Sequence, residues 1–213
     1  RHLPADAIAV TGDLVQDETR QGYERFRELL GQPGVPVHCL PGNHDSQEAM
    51  QAVLSDAPFH FCGIGDYPPW RLILLNSRIA SDDGGFLATQ ELEKLQQALA
   101  THRDGHVLVA LHHQPVPMGS RWLDTVGLRN AAAFFAVTDR HPQLRAIVWG
   151  HVHQASDQLR NGVRLISTPS TCAQFLPAAD TFTLDTRPPG YRWLDLHPDG
   201  TIQTSVVWVP GLA

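Results

Sequence analysis

The chain has 213 residues, 42% apolar and 18% charged, which is enough for a buried core and ordinary for a globular fold. Its net charge is −6 with Lys and Arg scattered, so it shows no basic footprint for nucleic acid, and no apolar run approaches the ~20 residues of a membrane span. Three cysteines, Cys39, Cys62 and Cys172, include no C-x-x-C pair, which argues against a disulfide framework or a Cys-type zinc site and for a reducing, cytoplasmic setting.

In chain order, "AIAV" (7–10) is a short apolar run that predicts a buried strand. Residues 18–30 place Tyr23, Phe26, Leu29 and Leu30 at helical spacing, with Gly31 as the stop. "VPVHCL" (35–40) predicts a strand, 46–54 a helix capped by Ser46, and 70–77 a strand. Residues 89–102 predict a helix with Leu92, Leu95 and Leu99 on one face and Glu91 and Glu93 in its first turn. "HVLVAL" (106–111) and "LRAIVW" (144–149) are strands separated by a helix over 129–138. A strand over 163–168 follows, then a hairpin over 191–209 turning at Pro198-Asp199-Gly200. The alternation predicts an α/β domain with a meander-like β finish, residues 1–213 forming one domain.

Twelve histidines are many for this length, and several follow strands. "TGDLVQD" follows the first strand, "PGNHD" the second, "HHQP" the strand at 106–111 and "GHVHQ" the strand at 144–149. Ligands in open α/β sheets bind beyond the carboxyl ends of strands. Adjacent strand ends would therefore bring Asp13, Asn43, His44, His112, His151 and His153 to one rim. Singly, each has an ordinary explanation: a His after a strand is usually a surface His, and Gly-Asp or "GNHD" suits a turn. Recurrence at four strand ends is more than turns require. On an extended segment His151 and His153 would point to one side, which suits chelation. Carboxylate, amide oxygen and imidazole without thiolate suit Mn, Fe or Zn. They also suit a two-metal hydrolytic site, in which a bridging carboxylate holds ions ~3.5–4 Å apart.

"GDLVQD", "GNHD", "HHQP" and "GHVHQ", in this order, resemble the calcineurin-like metallophosphoesterase superfamily. "SRWLDTVGLRNAAAF" (120–134), "TPSTCAQF" (168–175) and "FTLDTRPPGYRWLDLHPDG" (182–200) resemble its bacterial class III 3′,5′-cyclic-AMP phosphodiesterases. The resemblance implies a four-layer αββα sandwich of two mixed sheets. It implies hydrolysis of 3′,5′-cyclic AMP to 5′-AMP by a hydroxide shared between two divalent ions, Fe or Mn, with Zn as an option. Asp13 would bridge both ions, Asn43, His112 and His151 would complete the second, and His153 would bind the first. His44 would protonate the leaving oxygen, and His113 would be a neighbour of the ligand. The expected partner is a small cyclic nucleotide, with no nucleic acid and no membrane.

Two departures from the family pattern stand out. No Asp-x-His precedes Asp13, so the chain reads as lacking the first strand and the following helix. The position three residues after Asp13, where relatives carry an Asp that orients the catalytic His, is Gln16, with Asp17 next. Either could support His44. Arg129 and Asn130 open a helix and would favour an anion, making them substrate-binding candidates. Trp122 suits a purine or a packing role, and Cys172 reads as a small buried thiol. Two rival readings share these residues: another phosphodiesterase or phosphomonoesterase of the superfamily, and a non-catalytic single-metal domain.

Overall fold

The computed structural model describes residues 5–210. In order the elements are β1 (Ile8–Val10), α1 (Arg20–Gly31), β2 (Val37–Cys39), α2 (Gln47–Val53), β3 (Phe59–Phe61), β4 (Gly63–Tyr67), β5 (Trp70–Leu74), β6 (Arg78–Ile79), β7 (Asp82–Gly85) and α3 (Thr89–Ala100). Then come β8 (His106–Leu111), α4 (Arg121–Asp124), α5 (Ala131–Thr138), β9 (Leu144–Trp149), β10 (Ser156–Arg160), β11 (Val163–Ser167), β12 (Gly190–Leu196) and β13 (Ile202–Trp208).

The largest sheet has the order β10-β11-β9-β8-β5-β4, parallel at its centre and antiparallel at both edges. Successive residues of a strand face opposite sides. Val107, Val109 and Leu111 accordingly join Ile147 and Trp149 under α3 and α5, where Leu95, Leu99, Phe134 and Val137 cover them. Leu108 and Ala110 turn the other way, with Leu72, Leu74, Ala146 and Val148, and meet Leu40 and the hairpin residues Leu194, Leu196 and Ile202. Burial on both faces explains why "HVLVAL" is apolar throughout rather than alternating.

The smaller sheet, β1-β2-β3, is wholly parallel. Val37, Cys39 and Phe59 on one face pack with Tyr23, Met50 and Val53 of α1 and α2. His38, on the other face, reaches the large sheet and meets the Tyr67 hydroxyl at 2.7 Å. The layers therefore run α1 and α2, small sheet, large sheet, α3 and α5. This is the expected sandwich of two sheets between helices, with one difference in strand direction. Among the described residues only the large sheet is mixed, and the β12–β13 hairpin forms a two-stranded sheet of its own. Among the described residues β1 is paired along one edge only.

Helix ends follow the sequence. Ser46 caps α2 by accepting from Ala49 N, and Thr19 caps α1 by accepting from Gly22 N. No helix of the described residues is long and apolar enough to cross a membrane.

Candidate metal centre

The carboxyl ends of β1 and β2 lie side by side, with Val10 opposite Cys39, and so do those of β8 and β9, with Leu111 opposite Trp149. The turns beyond them meet because two glycines let them. Gly12 has φ 94°, and a Cβ there would collide with His112 and Gly42. A Cβ on Gly42 would collide with Asp13. These are the glycines of "TGD" and "PGN", and they allow backbone-to-backbone approach.

Asp45 braces the two turns. It is fully buried, accepts from Gly42 N at 2.9 Å and from Leu14 N at 3.1 Å, and accepts from the Tyr23 hydroxyl at 3.0 Å. The same hydroxyl accepts from Ser46 N at 2.8 Å. A buried carboxylate with this many donors is a fixed point, so the residues on either side of it, Leu14 and Gly42, are held in register. Across the same junction, His44 N donates to Asp13 Oδ1 at 3.0 Å.

The donor atoms converge on one nitrogen. His112 Nδ1 donates to Thr11 O at 2.6 Å, which leaves Nε2 facing the cluster. Around Nε2 lie Asp13 Oδ2 at 3.2 Å, Asn43 Oδ1 at 3.1 Å and His151 Nδ1 at 3.1 Å. A single N–H cannot serve three acceptors, whereas a cation among the four would serve all of them. Ligand bonds of ~2.1 Å put neighbouring donors ~3.0–3.4 Å apart, and the observed separations fall in that range. Burial raises the Asp13 carboxyl, but His112 outweighs it and holds Asp13 below the usual carboxylate range. Burial pushes His151 down to about 3. An anionic carboxylate and a neutral imidazole are the forms that bind metal. Burial opposes a proton on His112, but Asp13 favours one, which a metal ion would displace, and the converging oxygen and nitrogen donors fit a divalent ion.

His153 stands beside this set. Its Nδ1 donates to Ala173 O at 2.8 Å, which directs Nε2 elsewhere. The expectation of an extended "HVH" is corrected here. His151 and His153 have φ of 59° and 47°, in the left-handed region, and Val152 between them is fully buried. Asp13, at φ 56°, is left-handed too. Non-glycine residues held there cost of order 1–3 kcal/mol each and cluster at functional sites.

His113 lies closer in than a mere neighbour. His112, His113 and His151 offer nitrogens within 4.8 Å of one another, all buried. The His113 Nδ1 is bonded to Ser77 Oγ at 2.8 Å, and its Nε2 has no partner among the described residues.

His44 takes Gln16 as its ring partner, with the Gln16 side-chain amide 3.1 Å from His44 Nδ1. That contact leaves His44 Nε2 clear of Gln16. Asp17 instead accepts from Thr19 N at 3.1 Å and Thr19 Oγ1 at 2.9 Å at the start of α1. Gln16→Ala is therefore expected to lower kcat, by less than the ~10²–10⁴-fold that general acid catalysis is worth. Asp17→Ala should leave kcat unchanged and lower thermal stability slightly. Comparing kcat and melting temperature for both variants tests this, and a kcat loss confined to Asp17→Ala would reverse the assignment.

The remaining candidates are engaged elsewhere. Arg129 is held by both oxygens of Asp82 at 2.6 and 2.7 Å. Asn130 spends its amide on Leu87, accepting from N at 3.0 Å and donating to O at 2.8 Å. Cys172 is exposed, against the expectation of a buried thiol. The sequence reading missed Asp45, Tyr23 and Ser77. The Asp of "GNHD" was in view, but nothing in the sequence linked it to a tyrosine 22 residues upstream.

Residues 1–155 match the family described as calcineurin-like phosphoesterase. A 3′,5′-cyclic adenosine monophosphate phosphodiesterase of Pseudomonas aeruginosa, CpdA, is 42% identical over 203 residues, covering 94% of this chain and 74% of that protein. Its namesake from Escherichia coli K12 is 43% identical over 204 residues with the same coverage. Among solved structures, a dimetal phosphatase from Danio rerio superposes with a TM-score of 0.61 at 16% identity, covering 77% of this chain and 72% of that one. At that identity the likeness speaks for the fold.

Proposed function

We propose a function from one premise: this chain belongs to the calcineurin-like phosphoesterase family. It hydrolyses a cyclic nucleotide phosphodiester, 3′,5′-cyclic AMP, to 5′-AMP. The observation that carries the chemistry is the convergence of Asp13, Asn43 and His151 on the Nε2 of His112. The substrate follows from the two relatives named for cyclic AMP, each matched over 94% of this chain.

In this reading Asp13, Asn43, His112 and His151 hold one divalent ion, Mn or Fe. Asp13 and His153 would contribute to a second. Such ions supply Lewis acidity that activates water and offsets the phosphate charge. The chain's own residues do the rest. The Asp45 brace fixes the two turns against each other. His44 is placed by its backbone contact to Asp13 and by Gln16 on its ring, and as an imidazolium it would pass the Nε2 proton to O3′ as the P–O3′ bond breaks and be left as neutral imidazole. The lost proton returns from water. Arg129 would have to leave Asp82 to meet a phosphate, so the helix start supports the rim and the phosphate itself sits on the metal ligands.

The test is a panel of cyclic AMP, cyclic GMP, glycerophosphocholine and p-nitrophenyl phosphate with Mn²⁺ supplied. Cyclic AMP is expected to give the highest kcat/KM, with 5′-AMP as the product. Preference for glycerophosphocholine or the monoester would assign the chain to another activity of the family.

A further inference from the structure

Beside the metal centre lies an aromatic cluster that the chemistry above does not use. The Phe175 ring stacks on His153 at 4.1 Å between centroids, with 10° between the planes. Trp122 and Phe182 each meet Phe175 edge-on, at 5.2 and 5.3 Å, and meet each other at 5.3 Å. Phe175 and Phe182 sit on a short hairpin. Leu176 N donates to Thr183 O at 2.8 Å, and Asp185 N donates to Gln174 O at 2.9 Å. Gln174 is buried and anchors the hairpin base, donating to Ser170 O at 2.7 Å and Pro188 O at 3.1 Å.

Several large apolar side chains of this hairpin are open to solvent. Phe182 is 59% exposed, Leu184 56% and Leu176 42%. The pairing of Phe175 with Leu184 puts Phe175, Phe182 and Leu184 on one face of the hairpin, so Phe182 and Leu184 form an open apolar patch beside the half-buried Phe175. Its position is informative: the exposed ring of Phe182 is one ring away from Phe175, which itself lies on His153. A mononucleotide whose phosphate sits at the metal rim would extend its base roughly this far. Aromatic rings accept a base on their π-face whatever its hydrogen-bonding edge.

We propose that Phe182, backed by Trp122 and with Leu184 on the same face of the hairpin, is the platform on which the substrate's heterocyclic base stacks. This rests on the reading that the substrate is a cyclic nucleotide. The platform gives the enzyme its preference for nucleotides over base-free phosphodiesters, while the metal ligands treat the phosphate of either alike.

The experiment compares 5′-AMP with ribose 5-phosphate, which share a phosphate and a sugar and differ by the base. Binding of each to the Mn²⁺-loaded protein is measured by calorimetry for the native chain, Phe182→Ala and Phe182→Trp. The native chain is expected to bind 5′-AMP more tightly than ribose 5-phosphate. Phe182→Ala should weaken 5′-AMP about 5- to 150-fold, the span that base–aromatic stacking commands, and leave ribose 5-phosphate unchanged. Phe182→Trp should restore the difference. Equal affinities in the native chain, or equal weakening of both ligands by Phe182→Ala, would overturn the platform. So would a concentration-dependent dimer that Phe182→Ala abolishes while 5′-AMP binding stays intact, since the patch would then serve a second copy. Turnover of cyclic AMP by the native chain is scored separately. Turnover without base-dependent binding removes the platform and keeps the activity. Base-dependent binding without turnover keeps the platform and removes the activity.

Discussion

His112→Ala is expected to lower Mn²⁺ affinity by more than about 100-fold, beyond the 10–100-fold that loss of an outer-shell partner costs. The imidazole Nε2 sits among three other donors, at 3.1, 3.1 and 3.2 Å, so removing it takes one ligand from four and leaves a gap among the rest. It also frees Thr11 O, which loses its 2.6 Å bond from Nδ1. His113→Ala should cost less and stay within the outer-shell range. Its Nδ1 is committed to Ser77, and burial pushes its ring well below the ordinary histidine range, so it packs on the cluster as a neutral wall. Its unpartnered Nε2 makes the comparison a sharp one. Elemental analysis and Mn²⁺ titration of both variants measure occupancy directly, without recourse to activity. Equal loss from the two would make His113 a ligand.

The elements that the sequence revealed are those whose side chains meet a core. The strands at 106–111 and 144–149 coincide with β8 and β9 residue for residue, because burial on both faces makes them apolar throughout. β10, "SDQLR", was not anticipated. It is an edge strand with little buried surface, held by pairing to β11 rather than by an apolar face. β4, "GIGDY", was hidden by its glycines, one of which makes room for His38. The two-residue β6 and the glycine-rich β7 carry no periodicity at all.

At the site, residue types and their order at strand ends were legible, since metal chemistry limits them to a few donors. Backbone conformation was not. A left-handed His at 151 and 153 cannot be read from "GHVH", because histidine tolerates φ > 0 only where its surroundings impose it. Partner choice over long separations was equally hidden. Arg129 looked free at a helix start because its partner, Asp82, lies 47 residues upstream. Cys172 looked buried because nothing in the sequence showed that the chain turns outward into the 174–185 hairpin.

The sharpest expectation for the reaction concerns His44 and depends on the leaving group. Cyclic AMP expels a sugar alkoxide that needs a proton, so His44→Ala should lower kcat on it by ~10²–10⁴-fold, the usual worth of general acid catalysis. Bis-p-nitrophenyl phosphate expels a nitrophenolate that is stable without one, so the same variant should slow it far less. The substitution is clean in this fold. The contact from His44 to Asp13 runs through the backbone N at 3.0 Å and survives it, so only the imidazole and its 3.1 Å contact with Gln16 are lost. Asn43→Ala is the counterpart. It removes the oxygen 3.1 Å from His112 Nε2, so it should reduce metal content and slow both esters alike. The measurement is kcat for both variants on both substrates, with bound metal determined in each sample. If His44→Ala slowed the two esters equally at full metal content, proton donation would be the wrong role. His44 would then act by binding the phosphate, which both substrates share and whose hold does not depend on what leaves.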